Sequence, residues 1–507
     1  MSWFNPFLNC FRVPELRQRI LFTLGMIFVA RVGANIPLPG LNPAPLADYL
    51  AQQQSQGGGL VGLYNMFTGG ALLKGAIFAL GIMPYITASI ILQILGIAIP
   101  ALARLQKEGD IGRQKLTQYT RYLTIGIALI QSLLLVISLV RSPGTIMLGY
   151  DPSVWGDLVI INQMWFSITS VIFLTAGTVM LMWIGEQITQ RGVGNGISLL
   201  ITIGILSDLP GAFATAAALF TAPDDATGAV MSPLEGILLV ALFVGVTAAV
   251  VLLTQGTRRI PVQHAKRVVG RRMLAGGTSS YLPLKVNYSG VMPVIFANAL
   301  LMVPTQFFGS LSTLPYLGFL DDVAAQLTPE SLTYFIIYGV LIMGFAYFWV
   351  SLVFKPQEIS EQLQQSGGYV PGVRPGEPTA KFLDFVMTRL TLAGAIFLTL
   401  IAIFPYLLYN WFRIPFNVAQ FFGGTGTLIA VGVMLDTMRQ VESYLLQQQY
   451  DGFLQKSKKA SRSQQRARQL QEPRELRGEQ FGGLWVWCGV LFGTGLIVWI
   501  VRQFLDL

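Results

Sequence analysis

The sequence predicts an all-α integral membrane protein that crosses the bilayer many times. Of its 507 residues, 53% are hydrophobic and 12% are charged, and the mean hydropathy is +0.58. Soluble domains carry about 25% charged residues, so this composition excludes an ordinary soluble protein. Eleven apolar runs are long enough to cross a bilayer, which takes about 20 residues. They lie near 20–38, 75–97, 120–140, 160–185, 197–216, 234–254, 289–309, 332–354, 390–409, 417–436 and 484–502.

The first apolar run has an alternative interpretation as a cleaved signal peptide. Basic residues precede it, and Val32 to Ala34 resemble a cleavage site. Glu15 in the basic region and Arg31 inside the run are both unusual for a signal peptide. We therefore expect the first span to be retained.

Basic residues fix the expected orientation. With the N-terminus in the cytoplasm, 29 of the 34 Lys and Arg residues fall on the inner side, counting Arg121 at a span boundary, and four fall on the outer side. The outer connections 208–233 and 310–331 contain acidic residues and no Lys or Arg. Because basic residues resist translocation and favour the anionic inner leaflet, this asymmetry predicts a cytoplasmic N-terminus.

The sequence predicts no catalytic residues, no metal and no cofactor. Cys10 and Cys488 lie near opposite ends of the chain, and His264 is the single histidine. No paired carboxylates and no phosphate-binding loop stand out, so we expect no enzyme activity. Ion-coupled transporters need ionisable groups near the bilayer midplane. Arg31 is the main such group here, and we interpret it as a snorkelling or paired structural arginine.

Two cytoplasmic loops stand out by composition. Segment 255–288 has seven basic residues and no acidic one, so it is suited to phosphate-rich surfaces such as ribosomal RNA, with lipid headgroups as the alternative. Its basic residues are Arg258, Arg259, Lys266, Arg267, Arg271, Arg272 and Lys285. In segment 355–389, the stretch Ser366 to Phe382 packs Gly and Pro around Arg374. This composition favours a defined turn structure over a helix and suggests a docking loop.

The outer segment 57–74 is too short to span the membrane. Its sequence, GGGLVGLYNMFTGGALLK, is largely apolar and precedes the second full span. A re-entrant element of this kind is tolerated only where protein or a water-filled cavity surrounds it. The alternative is an interfacial helix on the lipid surface.

The order of motifs along the chain resembles the SecY family, the central subunit of the bacterial protein translocation channel. The resemblance covers about residues 10 to 455. It rests on blocks that include VPELRQRILFTLG from Val13, NMFTGGAL from Asn65, GEQITQRGVGNGISL from Gly185, LPLKVNYSGVMPVIFAN from Leu282 and GGYVPGVRPGEPTAKF from Gly367. A small-solute transporter or a structural scaffold explains neither these motifs nor their order.

The resemblance implies a ten-helix channel in two inverted halves, 1–220 and 221–455, around a pore that conducts unfolded polypeptide. A ring of apolar side chains would close the waist, at Ile82, Ile86, Ile197, Ile201, Ile295 and Ile429. A plug near 60–72 would block the outer funnel, with Gly69 and Gly70 as its hinge. The plug residues are Leu60, Asn65, Met66, Phe67, Gly69, Gly70 and Leu72.

The same resemblance implies partners and a place in the cell. The channel would be passive, driven by the SecA ATPase motor or a translating ribosome, and clasped by the subunits SecE and SecG. Arg258, Arg259, Lys266, Arg267, Arg271, Arg272 and Arg374 would form the docking surface. Secretory preproteins would cross the bacterial cytoplasmic membrane, and nascent membrane proteins would leave sideways into the lipid bilayer.

The chain departs from the family pattern after about residue 456. Residues 456–480 hold eight basic and three acidic residues, which indicates a solvated linker or a basic helix. Gly482 to Val501 form the eleventh apolar run. We expect 456–507 to add a C-terminal transmembrane helix, docked on the channel or resembling a fused accessory subunit. The basic linker could contact either a ribosome or lipid.

Overall fold

The computed structural model describes residues 13–42, 45, 46, 49, 65–141, 152–221, 233–264, 268, 269, 272, 273, 280–311, 323, 326, 327, 331–412 and 416–460. Helices dominate this part of the chain. Before the first strand they are α1 (Pro14–Gly33), α2 (Met83–Ala98), α3 (Pro100–Lys107), α4 (Asp110–Arg141), α5 (Pro152–Trp155), α6 (Gln163–Arg191), α7 (Gly196–Thr221) and α8 (Pro233–Gln255).

The later elements include a small β-structure between two groups of helices. The strands are β1 (Thr257–His264), β2 (Val268–Val269), β3 (Arg272–Met273), β4 (Ser280–Lys285) and β5 (Gly368–Tyr369). The helices are α9 (Met292–Leu311), α10 (Leu332–Val353), α11 (Pro356–Gln365), α12 (Glu377–Phe412), α13 (Phe416–Gly423) and α14 (Thr425–Ala460).

Long apolar helices account for the predicted spans. Among the described residues, six helices are long and apolar enough to cross a membrane, or seven if α2 and α3, bent by 106° at their junction, form one span. Shorter apolar stretches lie in α8 and α9. Each of the ten predicted spans before residue 437 overlaps a helix, but 417–436 covers α13 and the start of α14, and α1 is not among the helices that are long and apolar enough by composition. The eleventh, near 484–502, lies outside the described residues.

The first two spans differ from their predicted bounds. Helix α1 ends at Gly33, before the predicted end at 38. The predicted second span began at 75, but residues 69–82 form turns and α2 begins at Met83. The reason is a set of glycines with φ between +56° and +86°, at positions 69, 70, 75 and 81, because a left-handed residue ends a right-handed helix.

Local sequence signals explain where several helices begin. Proline occupies the first turn of α1, α2, α3 and α11, where its missing N–H costs no hydrogen bond. The Asn162 side chain caps α6 by accepting a hydrogen bond from the backbone N–H of Met164. The Ser331 hydroxyl caps α10 in the same way, accepting from Tyr334 N at 3.2 Å.

The helices pack into two groups that meet along two seams. Helices α1, α2, α4, α6 and α7 form one connected group, in which Arg121 of α4 donates two hydrogen bonds to the Glu186 carboxylate of α6. Helices α8, α9, α10, α12, α13 and α14 form a second connected group. At the first seam α9 packs against α2 and α4, and at the second α7 packs against α13 and α14.

A small antiparallel sheet lies outside the helical bundle. Its strand order is β4-β1-β5, and the register pairs Arg258 with Leu284 and His264 with Gly368. In β1, Ile260 and Val262 are buried while the neighbouring residues are exposed. A separate apolar cluster that includes Ile260, Leu284 and Leu383 joins the sheet to α10 and α12. This sheet was not part of the sequence prediction.

The segment around Arg374 agrees with its predicted turn structure only in part. Up to Gly376 the chain forms β5 and turns, but Glu377 begins helix α12. An acidic residue followed by Pro378 is favoured in a first helical turn, so the helix starts earlier than predicted.

Candidate plug and pore waist

The plug segment, defined here as residues 65–75, folds back on itself. Residues 65–68 are helical and the following residues form turns, so the helix ends at Thr68, before the predicted plug end at residue 72, while residues 60–64 lie outside the described residues. The Gly70 N–H donates to the Asn65 carbonyl at 3.1 Å, and Leu72 N–H donates to the Thr68 hydroxyl at 3.3 Å. The predicted plug residues Met66, Phe67, Gly69, Gly70 and Leu72 are buried, Asn65 is half-buried, and Leu60 lies outside the described residues.

Three glycines from different helices or turns form a seat for the plug segment. At Gly204 of α7, an added Cβ would lie 3.0 Å from the Phe67 carbonyl oxygen. At Gly81, just before α2, it would lie 3.1 Å from the Thr68 methyl group. At Gly426 of α14, it would lie 3.4 Å from the Met66 sulfur. The plug backbone therefore approaches α7 as closely as it does only because Gly204 lacks a side chain, whereas Gly81 and Gly426 contact the side chains of Thr68 and Met66.

The predicted ring residues are placed near this seat. Five of the six isoleucines are at most 4% exposed, Ile197 is half-buried, and all six belong to or pack against one apolar cluster with Met66 and Phe67. The buried five are Ile82, Ile86, Ile201, Ile295 and Ile429. A Cβ added at Gly185 of α6 would lie 3.2 Å from Ile197 Cγ1, so the Ile197 side chain packs against the neighbouring helix.

Each seat glycine is a close sequence neighbour of a predicted ring residue. Gly204 follows Ile201 by three residues and Gly426 precedes Ile429 by three. Residues three apart lie on one helix face, about 4.5 Å apart along the axis. Gly81 directly precedes Ile82. Sequence reasoning missed these glycines, although a glycine one turn from an apolar ring position was a signal available in the sequence.

Helices α2 and α4, which pack against α9 at the first seam, each contain an unpaired polar atom. Gln93 of α2 and Gln131 of α4 each bury a side-chain oxygen for which the described residues supply no hydrogen-bond partner. A buried unpaired oxygen costs about 1–3 kcal/mol.

The β4-β1-β5 sheet carries part of the predicted docking surface. Arg258 and Arg259 are exposed on β1, and Arg374 is exposed in the turn after β5. That turn is fixed by hydrogen bonds from the Thr379 hydroxyl to the Arg374 carbonyl, 2.7 Å, and from the Ser360 hydroxyl to the Gly376 carbonyl, 2.6 Å. Of the other predicted docking residues, Lys266, Arg267 and Arg271 lie outside the described residues, and Arg272 is described only as part of β3.

Comparison with known proteins identifies the family. A family model described as SecY matches residues 76–438. The protein translocase subunit SecY of Chlamydia trachomatis serovar D is 42% identical over 466 residues, which cover 89% of this chain and 98% of the relative. The chain belongs to the SecY family. The predicted family, the all-α membrane fold and the expectation of a multi-pass translocase subunit rather than an enzyme are confirmed.

Solved structures share the fold of this SecY family member. One, described as the structure of a protein conducting channel, matches with a TM-score of 0.55 at 18% identity and covers 86% of this chain and 96% of its own. Another, Sec61 in the canine ribosome-channel complex from the endoplasmic reticulum, matches with a TM-score of 0.52 at 17% identity and equal coverage.

The glycine seat generates a first prediction. Gly204→Val places a branched side chain against the Phe67 carbonyl, and we expect it to displace the plug segment. Overpacking against backbone costs about 1–3 kcal/mol, enough to raise the displaced population roughly 5- to 150-fold. The measurement is ion leak through the idle channel in reconstituted vesicles.

Gly211→Val is the matched control for this prediction. Gly211 lies in the same helix, α7, and an added Cβ there would meet nothing within 4 Å. We expect its leak to equal that of the unmodified protein. If both variants leak equally, the close approach at Gly204 does not hold the plug.

Proposed function

We propose that this chain forms the protein-conducting pore of a translocase, closed at rest by the isoleucine ring and, on its outer side, by the plug segment. One observation supports this most strongly: the plug backbone approaches Gly204 one helical turn from Ile201, a predicted ring residue. A re-entrant segment so close to an apolar constriction blocks the same path through the membrane.

The chemistry of the ring suits a channel for many substrates. Isoleucine side chains are stiff and apolar, so a short constriction lined by them excludes water and ions by dewetting. They offer no charge and no hydrogen bond to a passing chain. An unfolded polypeptide is therefore accepted with little regard to its sequence.

The seam between α9 and the pair α2 and α4 provides the proposed lateral exit. An apolar segment of about 20 residues gains burial in hydrocarbon by leaving through it. A polar chain would lose several kcal/mol for each backbone group left unpaired in lipid, so it stays in the pore. Support for the opening comes from the unpaired oxygens of Gln93 and Gln131 on the seam helices.

The driving force has to come from partners, because the chain contains no nucleotide-binding motif. We propose that the exposed arginines of the cytoplasmic sheet and of the turn after β5 dock the SecA motor or a ribosome. The fixed turn around Arg374 and the positive charge of Arg258 and Arg259 support this role, since phosphate-rich or acidic surfaces attract such patches. The similar canine channel was solved in a complex with a ribosome.

The remaining assignments follow the same proposal. The chain would work in the bacterial cytoplasmic membrane with a cytoplasmic N-terminus, as its basic residues favour. SecE and SecG would complete the complex. Residues 1–220 and 221–455 would be the two halves that move apart, and 456–507 an added segment.

Reconstitution tests the proposed function directly. The full chain is placed in vesicles with SecE and SecG, and SecA, ATP and a secretory precursor are added. We expect ATP-dependent protection of the precursor from external protease. A complete complex that protects no precursor would refute the proposal.

Polar substitutions in the ring provide a second prediction. In Ile86→Asn or Ile429→Asn, a buried amide lacks a partner in the closed ring, which costs about 1–3 kcal/mol. The closed state is weakened, so precursors with defective signals should be exported about tenfold more. Ile90→Asn is the control, because Ile90 is buried one turn further along α2 but is outside the ring. Equal effects at Ile86 and Ile90 would exclude a special role for the ring.

Charge reversal in the docking turn provides a third prediction. Arg374→Glu should lower SecA-driven transport at least tenfold, because like charges then face each other where opposite charges met. Arg389→Glu makes the same change at another exposed arginine, on α12, and should transport normally. Normal ATP-dependent transport by the Arg374→Glu variant in reconstituted vesicles would contradict the docking role.

A further inference from the structure

Arg31, near the end of α1, is bound to the plug segment. Its Nη1 donates a hydrogen bond to the Gly69 carbonyl at 3.1 Å. Gly69 has φ +64°, and a Cβ added there would lie 2.4 Å from the same Nη1 atom. The guanidinium therefore occupies the space that any side chain at this position would need. This contact does not fit a snorkelling arginine, whose charged end would reach for water or lipid headgroups.

Asp208 approaches the plug segment from the opposite helix, α7. The Asn65 side-chain amide lies 3.5 Å from Asp208 Oδ2, and a Cβ added at Gly70 would lie 3.8 Å from Asp208 Oδ1. The Ser207 hydroxyl lies 3.5 Å from Oδ1 and donates its proton to the Gly204 carbonyl at 2.7 Å. Asp208 also attracts Arg31 and Lys74 electrostatically.

A small cavity lies beside Arg31. Its volume is about 40 Å³, and most of its lining is apolar, with Arg31 and Thr68 as the polar side chains. The guanidinium of Arg31 therefore lies in mostly apolar surroundings, where its hydrogen bond to the Gly69 carbonyl is valuable.

Two charges inside a helical bundle are costly and need a reason. Charged groups within membrane segments are rare, and they usually mark a functional contact. Here the opposite charges come from α1 and α7, and both converge on the plug segment between them. The packing of α1 and α7 does not require this arrangement, because an apolar pair would pack as well.

We propose that Arg31 and Asp208 form a latch that holds the plug segment in the closed channel. This inference rests on the proposed function and deepens it. Both are positioning residues: Arg31 holds the Gly69 carbonyl, and Asp208 holds Asn65 while attracting Arg31. Release of the plug breaks these contacts, so the latch sets how readily the idle channel opens.

The exposure of the plug segment is the measurement that distinguishes a latch from a merely structural contact. The full chain is studied in complex with SecE and SecG. Its two cysteines, Cys10 and Cys488, are replaced by serine, and Leu73→Cys introduces a single reporter cysteine. A membrane-impermeant maleimide added from outside reports how often residue 73 is exposed. With Arg31→Met or Asp208→Asn, we expect labelling and idle ion leak to rise about tenfold, because the closed state loses a hydrogen bond to a charged group.

Conservative and double variants sharpen the test. Arg31→Lys and Asp208→Glu keep the charges and should leave labelling close to the unmodified level. The double variant Arg31→Met with Asp208→Asn should leak more than either single variant, because Arg31 holds the Gly69 carbonyl and Asp208 holds Asn65 through separate contacts. If Arg31→Met fails to fold, Asp208→Asn and Arg31→Lys still decide the outcome.

Arg121→Met is the matched control for loss of a charged interaction. It breaks the ion pair of Arg121 Nη2 with Glu186 Oε2, 2.6 Å, which joins α4 and α6 away from the plug segment. We expect neither leak nor labelling to change. Equal increases in Arg121→Met and Arg31→Met, or none in either latch variant, would overturn the latch. A failure of SecA-driven transport by the unmodified complex would instead overturn the proposed function, because labelling requires no transport.

Discussion

The backbone N–H and C=O groups of residues 65–82 need hydrogen-bond partners inside a helical bundle that lipid surrounds. Irregular backbone at membrane depth is tolerated only where protein or a water-filled cavity surrounds it. The chain meets this constraint with its own hydrogen bonds, such as Ala76 N–H to the Ala71 carbonyl at 2.9 Å and Leu38 N–H to the Gly75 carbonyl at 2.8 Å. Close contacts with Gly204 and Gly426 exclude lipid from this segment. The candidate plug and ring depend on this arrangement.

The plug region and the small sheet are stabilised in different ways. Around the plug segment, contacts are close but Arg31 and a small cavity interrupt the apolar packing. At the sheet, strand pairing, side-chain hydrogen bonds and a separate apolar cluster hold the turn around Arg374 against α10 and α12.

The two seams are suited to different movements. At the first, α9 meets α2 and α4, and buried oxygens of Gln93 and Gln131 lack partners among the described residues. At the second, α7 meets α13 and α14, where Ile205, Phe421 and Phe422 belong to the apolar core. An opening that separates the helices at the first seam and bends them at the second breaks fewer favourable contacts than the reverse.

The sequence by itself indicated that the chain is a multi-pass membrane protein and to which family it belongs, and it predicted on which side the loops lie. These properties depend on local composition, since hydrocarbon and water select residues by their chemistry alone. The motifs also pointed to the plug residues and the ring isoleucines, whose roles stay predictions. Tertiary structure alone placed the Gly204 seat, the sheet that carries Arg258 and the convergence of Arg31 and Asp208 on the plug segment. Asn65 and Asp208 are 143 residues apart in sequence. Only the folding of the helices brings such distant residues together, and no local pattern encodes that distance.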